Sequence, residues 1–177
     1  MNILESLFQT TDQPTAAPHL GEAYGLWLYY TLLDDALSFC QLTSNHAHDA
    51  DLRKLIAEVA NDLERPQRHK VEELMAREGI PFPEVTMPKH PTVDPDSIPQ
   101  AARMADVEIA NIQALKLQAL ITTSTANMQQ ALRDDIGGVY MAFKQELIAM
   151  SLRLKKLMQQ RGWLIVPPAF GRQAPNQ

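Results

Sequence analysis

A proline-rich stretch separates two pairs of helical patterns and constrains the fold of this chain more than any other sequence feature. Six of the twelve prolines fall between residues 80 and 104, at positions 81, 83, 88, 91, 95 and 99. Proline lacks a backbone N–H and disrupts both helix interiors and central strands, so the stretch is expected to be an extended ordered loop. A loop this long is unusual inside a compact domain and needs a structural reason.

Apolar residues on both sides of this loop recur every three or four positions, which predicts four amphipathic helices. The predicted helices cover residues 19–45, 49–79, 106–132 and 136–162. Gly79 and Gly162 are placed where helices commonly stop. No strand pattern of comparable quality is present, so the chain is predicted to be all-α.

The connection lengths predict the topology of these helices. Short links join helices one to two and three to four, so each pair should form an antiparallel hairpin. The loop between the pairs can extend about 80 Å at 3.3 Å per residue. A 26-residue helix is only about 39 Å long. The loop can therefore run the length of a four-helix bundle and start helix three at the far end, which is the single-crossover arrangement of ferritin-like bundles.

Three local features lead to further structural expectations. Pro66 lies inside the second helix and should kink it near Asp62, because its ring removes one backbone hydrogen bond. Gly21 and Gly25 weaken the start of helix one, so another backbone is expected to approach closely there. The apolar pattern also predicts that large side chains in helices one and four, Trp27 and Phe143, are largely buried.

Length and composition predict one domain with two short extensions. The 177 residues are 45% hydrophobic and 21% charged, which is ordinary for a globular protein. Residues 1–18 read as a flexible lead-in, 19–166 as the bundle with its crossover loop at 80–104, and 167–177 as a C-terminal tail.

Charge and residue usage exclude several classes of protein. A formal charge of −5 gives no basic excess of the kind that attracts nucleic acid. No apolar run approaches the roughly 20 residues that span a bilayer. A single cysteine, Cys40, rules out an internal disulfide framework and suits a reducing compartment. Because no targeting motif is visible, the cytoplasm is the expected location.

Four short segments resemble one known family. They are HLGEAYGLW at 19–27, DLRKLI at 51–56, DVEIA at 106–110 and RGWL at 161–164. In order and spacing they resemble the family catalogued as domain of unknown function 3231, found mainly in Bacillus-type bacteria, over roughly residues 19–168. The resemblance implies a ferritin-like four-helix bundle and no assigned activity. It also implies a distant likeness to spore-coat bundles, and hence an association with spores.

A di-iron centre is the first kind of site to consider in a ferritin-like bundle. Such a centre takes a Glu from each of two helices and a Glu-x-x-His motif from each of the other two. The chain contains no Glu-x-x-His, which argues against a standard centre.

A reduced metal site is predicted instead at one end of the bundle. Glu22 lies on the apolar stripe of helix one, and pairing of helices one and two brings it level with about Glu72. His69 is one turn away, and His19 precedes Glu22 by three residues. Imidazole and carboxylate ligands suit zinc, iron or manganese, so His19, Glu22, His69 and Glu72 or Glu73 form the candidate metal site. The alternative is a buried hydrogen bond between Glu22 and His69.

Other polar residues are expected to have structural roles. Glu108 should complement the dipole of helix three, and His46 and His48 should be solvated turn residues. The hydroxyls of residues 122–125 should bond back to preceding carbonyls. Cys40 lies on the buried stripe of helix one and is expected to be an inert core thiol.

Two functions remain open from the sequence. The chain is expected to be a structural or interaction bundle without catalysis, either a homodimer or a component of a larger assembly. The alternative is a metal-binding bundle with a single or degenerate site at the Glu22/His69 end. Binding of a small ligand in the bundle core is a third role that sequence alone does not distinguish from packing.

Overall fold

Helices make up most of the residues that the computed structural model describes, which are 16–84 and 90–168. The α-helices are α1 (Leu20–His46), α2 (Ala50–Glu58), α3 (Arg65–Glu78), α4 (Asp106–Gln130) and α5 (Asp134–Arg161). A π-helical turn, Val59–Glu64, joins α2 and α3 into one rod. Two short 3-10 helices, Pro95–Ser97 and Gln100–Ala102, lie in the crossover. Within the described ranges there is no strand, and none of the helices has an apolar stretch that could span a bilayer.

The helix ends lie within two residues of the predicted ones. His19 is the N-cap of α1, and Asp49 caps α2 by accepting a hydrogen bond from the Leu52 N–H at 2.9 Å. Gly79 and Gly162 end α3 and α5 in the left-handed conformation, with φ of 66° and 70°. Glycine adopts this conformation without the steric cost that a Cβ would impose.

The π-helical turn lies immediately before Pro66, where the sequence predicts a distortion near Asp62. In this turn the Arg65 N–H donates to the Ala60 carbonyl, one residue further back than in an α-helix. Pro66 has no N–H to offer to Asp62, and its ring crowds that carbonyl in a regular helix. The wider turn accommodates the proline without ending the rod.

Contacts at the two ends of the bundle establish the crossover. The end of α3 lies beside the start of α5, where Arg77 Nη2 is 2.7 Å from Asp135 Oδ2. The start of α4 lies at the opposite end, where Asp106 accepts the His48 N–H at 2.8 Å. Helices α3 and α4 are therefore not joined at the same end. The predicted ferritin-like bundle of two antiparallel hairpins joined by a crossover is confirmed.

A buried asparagine at the end of α1 anchors the crossover. Asn45 Nδ2 donates to the Pro91 carbonyl at 2.8 Å, and its Oδ1 accepts the Val93 N–H at 3.0 Å. Because the loop has few regular backbone hydrogen bonds, side-chain partners of this kind fix its path.

Aromatic side chains fill the middle of the core. Phe143, which is 6% exposed, stacks on Tyr29 with ring centroids 5.7 Å apart, and Tyr140 meets Tyr29 edge-on at 5.5 Å. Phe143 is buried as predicted. Trp27 is only partly buried, because it lies one position off the α1 stripe and packs at the edge of the core.

The close approach at Gly25 involves a side chain and not the predicted backbone. A Cβ on Gly25 would lie 3.1 Å from the Asn127 side chain, whose Nδ2 donates to the Gly25 carbonyl at 3.2 Å. The missing side chain thus lets α4 bond directly to the backbone of α1.

Candidate functional site

Glu22, the centre of the predicted site, is buried at the end of the bundle where α1 begins. Glu22 is only 4% exposed. Its carboxylate accepts hydrogen bonds from three backbone N–H groups, those of Leu132 and Arg133 at 2.8 Å each and that of His19 at 3.0 Å. Burial acts to raise the pKa of Glu22, but these hydrogen bonds and the nearby His19 lower it below 4.5 overall. Glu22 therefore stays ionised and ties α1 to the α4–α5 turn.

His19 lies beside Glu22, as the sequence predicts. Its Nε2 is 3.7 Å from Glu22 Oε2 and 3.2 Å from the Gln130 carbonyl oxygen. The other ring nitrogen, Nδ1, accepts the Gly21 N–H at 2.9 Å. The ring thus caps α1 and contacts the end of α4 at the same time.

His69 and Glu72 are not brought to this pair. His69 is mostly exposed, with Nε2 3.4 Å from Glu73, and Glu72 lies 3.3 Å from Arg68 Nη1. The π-helical turn adds a residue and so rotates everything after it by about 100° relative to a regular helix. A prediction based on regular helical spacing does not include that rotation. Across residues 16–84 and 90–168, no group of three or more His, Cys, Asp or Glu could hold a metal ion.

The histidines of the α1–α2 turn both have protein partners. His46 Nδ1 accepts the Met104 N–H at 3.3 Å, and His48 Nε2 is 3.5 Å from Asp96 Oδ1. Both partners belong to the crossover or its end, so these histidines help to seat the loop.

Several polar side chains described for α4 form hydrogen bonds with the backbone of their own helix. Glu108 accepts the Ala105 N–H at 2.8 Å and completes a cap at the start of α4. Thr122, Thr123 and Thr125 donate to carbonyls four residues earlier, as predicted. Ser124 differs, because it is buried and donates to the Tyr29 hydroxyl at 3.0 Å.

A second polar group, which sequence reasoning missed, lies inside the bundle between α1, the π-helical turn and α4. This core polar cluster consists of Cys40, Thr43, Glu64, Gln113 and Lys116. Lys116 Nζ lies 2.8 Å from Glu64 Oε1 and 2.9 Å from Cys40 Sγ. Cys40 Sγ lies 3.5 Å from Glu64 Oε2. Glu64 is fully buried, so the carboxylate meets the ammonium and the thiol away from water.

Gln113 completes the core polar cluster. Its Nε2 donates to Thr43 Oγ1 at 3.3 Å and is 3.6 Å from Cys40 Sγ. Its Oε1 is buried and has no hydrogen-bond partner among the described residues. A buried acceptor without a partner is uncommon, because it loses its hydration without compensation.

Burial changes the acid–base properties of this cluster. It raises the pKa of Glu64 above 4.5, and Lys116 opposes part of that rise. Burial also raises the pKa of Cys40 to about 11, again against the effect of Lys116. At neutral pH Cys40 is therefore a thiol, and the Glu64–Lys116 pair holds the cluster together.

A separate chain of hydrogen bonds crosses the core nearer to α5. Tyr29 donates to Gln67 Oε1 at 3.0 Å, and Gln67 Nε2 donates to Glu146 Oε2 at 2.9 Å. Burial raises the pKa of Tyr29, which keeps its hydroxyl protonated as a donor.

One sequence signal could have revealed several of these residues. Gln113 lies four positions after Ile109 and four before Leu117, and both of these neighbours are fully buried. Gln67 similarly precedes the buried Val71 by four residues. A polar residue at the spacing of an apolar stripe predicts a buried polar group, although spacing does not identify its partner.

Two surface depressions flank the core polar cluster. The α1–α4 groove has a volume of about 370 Å³ and an almost entirely apolar lining, apart from Asp35 and Lys116. The crossover pocket, about 220 Å³, is more polar. Its lining includes Cys40, Gln41, Asn45, Arg65, His90 and Thr92. The cluster is thus approached from the groove at Lys116 and from the pocket at Cys40.

Solved structures share this architecture. A "putative spore coat protein" (BH2358) from Bacillus halodurans C-125 superposes with a TM-score of 0.84 at 27% identity, covering 88% of this chain and 97% of that chain. The ferritin-like and DJ-1/ThiJ/PfpI-like two-domain protein of Anabaena variabilis gives 0.63 at 13% identity, covering 88% of this chain and 41% of that one. At that identity the second likeness concerns the fold alone.

Sequence relatives identify the family. The uncharacterized protein YvdQ of Bacillus subtilis (strain 168) is 32% identical over 159 residues, which cover 89% of each chain. The profile of the family described as "Protein of unknown function (DUF3231)" matches residues 19–174. This match covers all five helices, and with it the core polar cluster, so the chain belongs to the DUF3231 family.

Proposed function

We propose that this chain is a structural or interaction bundle without catalytic chemistry. The supporting observation is the pairing of Glu64 with Lys116 at 2.8 Å in the interior. Bundles with di-iron centres direct carboxylates and histidines from several helices towards the core, where metal supplies the positive charge. Here the ammonium of Lys116 supplies that charge, so the buried Glu64 carboxylate is neutralised by the protein itself and stabilises the helix packing.

The α1–α4 groove supports association with a second copy of the chain. Leu115, which is 64% exposed, and Ile112, which is 38% exposed, lie along the groove. Exposed apolar residues next to an apolar depression are typical of interaction surfaces. The chain carries a formal charge of −5, yet among the described residues that line the groove only Asp35 and Lys116 are charged. Two copies can therefore meet here with less repulsion than elsewhere.

A two-fold arrangement would let each copy fill the groove of the other. In an isologous dimer the same patch is used by both subunits, so a projecting side chain and a depression must lie on one face. Leu115 and the α1–α4 groove meet this requirement. We therefore place Leu115 at the centre of the proposed self-association surface.

Light scattering coupled to size-exclusion chromatography tests this proposal. The purified chain should elute as a dimer or larger assembly, and Leu115→Asp should shift it towards the monomer. Leu152→Asp is the matched control, because Leu152 is 63% exposed and lies on α5 outside the groove. A chain that stays monomeric at every concentration, or equal effects of both variants, would contradict self-association through the groove.

The proposed assembly is associated with spores. The support is the similarity to the Bacillus halodurans protein, which is described as a spore coat protein of putative status. A tagged copy expressed in sporulating Bacillus subtilis should fractionate with purified spores. Recovery only from the mother-cell cytosol would contradict this location.

Metal binding at the end where α1 begins is a second candidate function. It is favoured by the 3.7 Å separation of His19 Nε2 and Glu22 Oε2. Zinc, iron or manganese would have to complete its coordination with water, because His69 lies beside Glu73 and Glu72 lies beside Arg68. A zinc-dependent rise in the unfolding temperature that His19→Asn abolishes would support this role. His19→Asn is suitable because Asn can still cap α1.

A further inference from the structure

The contact between Cys40 and Lys116 brings a thiol sulfur and an amine nitrogen together inside the bundle. We propose that Cys40 and Lys116 form a covalent sulfur–nitrogen link when hydrogen peroxide oxidises the Cys40 thiol. The two reacting atoms are 2.9 Å apart before any reaction, although they are separated by 76 positions in the sequence. The link therefore requires only a small movement of two side chains.

The crossover pocket gives the peroxide a route to the sulfur. Cys40 is one of the residues that line it, and the volume of about 220 Å³ exceeds the space that one small molecule needs. Polar residues of the pocket, including Arg65 and His90, can hold a peroxide by hydrogen bonds. Because Cys40 itself is only 1% exposed, a second protein chain cannot reach the thiol.

The first step converts the thiol to a sulfenic acid. The sulfur attacks one peroxide oxygen, the O–O bond breaks and an S–O bond forms. The thiol proton joins the departing hydroxide, so one water is released. Cys40 is oxidised by two electrons and the peroxide is reduced by two. Burial keeps Cys40 protonated at neutral pH, so this step should be slower than the oxidation of an exposed thiol.

The second step forms the link. Lys116 transfers one proton to Glu64, 2.8 Å away, and the neutral nitrogen attacks the sulfur. The S–O bond breaks, and the departing hydroxide takes a second proton from the nitrogen and leaves as water. Sulfenic acids condense with nitrogen in this way to give sulfenamides. The product is a neutral sulfenamide beside a protonated Glu64, without further oxidation.

Two buried acceptors support the intermediate. Gln113 Oε1 has no partner in the described structure, while the Nε2 atom of the same amide is 3.6 Å from Cys40 Sγ. An S–OH group on Cys40 would give this orphaned oxygen a hydrogen-bond donor. Glu64 is suited to accept the proton from Lys116, because its burial makes the neutral carboxyl more accessible than in water.

The composition of the chain limits the competing products. Cys40 is the only cysteine, so the sulfenic acid has no thiol within the chain with which to form a disulfide. Lys116 is the nearest nitrogen nucleophile in the cluster. Condensation with Lys116 also protects the sulfur from overoxidation to the sulfinic acid, which is irreversible in most proteins.

Mass spectrometry of the full-length chain after peroxide treatment tests the link. The intact mass should fall by about 2 Da, the loss of two hydrogens, and dithiothreitol should restore it. After trypsin, residues 1–53 should be joined to residues 104–133, because a linked Lys116 is no longer cleaved. Lys116→Arg should abolish the joined peptide and leave Cys40 with added oxygen. Lys144→Arg is the matched control and should leave the link intact.

Several outcomes would overturn the inference. In the wild-type chain, addition of oxygen to Cys40 without a joined peptide would contradict the link. An unreacted Cys40 or a disulfide-linked dimer would contradict it as well. Glu64→Gln should slow formation of the link relative to the oxidation of Cys40, because Gln cannot accept the proton. An unchanged ratio in that variant would remove the assigned role of Glu64. These outcomes are independent of self-association through the groove.

Discussion

Lys116 of α4 and Glu64 of the π-helical turn form an ion pair of 2.8 Å in the interior of the bundle. The pair joins two helices that are far apart in the sequence, and Cys40 of α1 contacts both partners. A buried pair recovers the cost of dehydrating its two charges only while both are present. Its geometry therefore makes a direct prediction about stability.

Removing one partner of this pair should be more harmful than removing both. Lys116→Met should lower the free energy of unfolding by about 3 to 5 kcal/mol, because Glu64 is left buried without a counter-charge. The double variant Glu64→Leu, Lys116→Met should recover most of that loss. Urea unfolding of the wild type, the two single variants and the double variant measures the effect. Additive losses in the double variant would mean that the two charges are not coupled.

Glu22 should tolerate an amide better than an apolar residue. Glu22→Gln keeps one oxygen for the Leu132 and Arg133 amides and should cost about 1 to 2 kcal/mol. Glu22→Leu leaves three N–H groups without their acceptor and should cost about 3 kcal/mol or more. Thermal and chemical unfolding compare the two. Equal losses would show that the hydrogen bonds of Glu22 do not stabilise the α4–α5 turn.

Truncation of the buried Phe143 side chain in α5 should be costly. Phe143→Ala removes the ring that stacks on Tyr29 and should cost about 3 to 5 kcal/mol if the cavity does not collapse. Leu152→Ala on the same helix is the control, because its side chain is exposed and its loss should stay within about 0.5 kcal/mol. A loss below about 1 kcal/mol for Phe143→Ala would contradict the packing described.

Acid should destabilise the bundle through the ion pairs at the end where α5 begins. Hydrogen bonds from Arg133 hold the pKa of Glu78 below 4.5 and that of Asp135 below 3.8. A carboxyl whose pKa is lowered by folding contributes stability above its unfolded pKa and loses it as the pH falls through the folded value. The urea midpoint should therefore fall as the pH is lowered from about 5 to 3.

Replacing the arginine identifies the source of this acid sensitivity. Arg133→Met should lower stability at pH 7 and flatten the decline at acid pH, since Glu78 and Asp135 would lose their main partner. Glu64 contributes with the opposite sign, because its pKa is raised by folding and protonation relieves its burial. If the urea midpoint of Arg133→Met fell with pH as steeply as that of the wild type, other carboxyls would be the cause of the acid sensitivity.

The helices and their order could be predicted from local chemistry alone. Apolar residues at intervals of three and four identify helix faces whatever the surroundings, and Gly79 and Gly162 are favoured at helix ends because they adopt positive φ at little cost. The prolines between residues 80 and 104 exclude a regular element, and the length of that loop allows a crossover. These properties depend on the residues themselves, and the structure follows them closely.

Which groups the buried polar side chains contact was decided by the tertiary structure. Glu22 lies on the predicted face, yet it binds the Leu132 and Arg133 amides and not helix two, because the π-helical turn changes the register of His69 and Glu72. Helical periodicity assumes a constant rotation of about 100° per residue, and one extra residue in a turn breaks that assumption.

The contact of Cys40 with Lys116 and Glu64 illustrates the same division. The sequence determined that Cys40 is buried, because its position on the α1 stripe requires it. Which groups surround the thiol depends on how α4 and the π-helical turn pack against α1, across separations of 76 and 24 residues. Those pairings follow from the crossover and from side-chain packing in three dimensions, and only the folded chain brings an amine, a carboxylate and a thiol to one place.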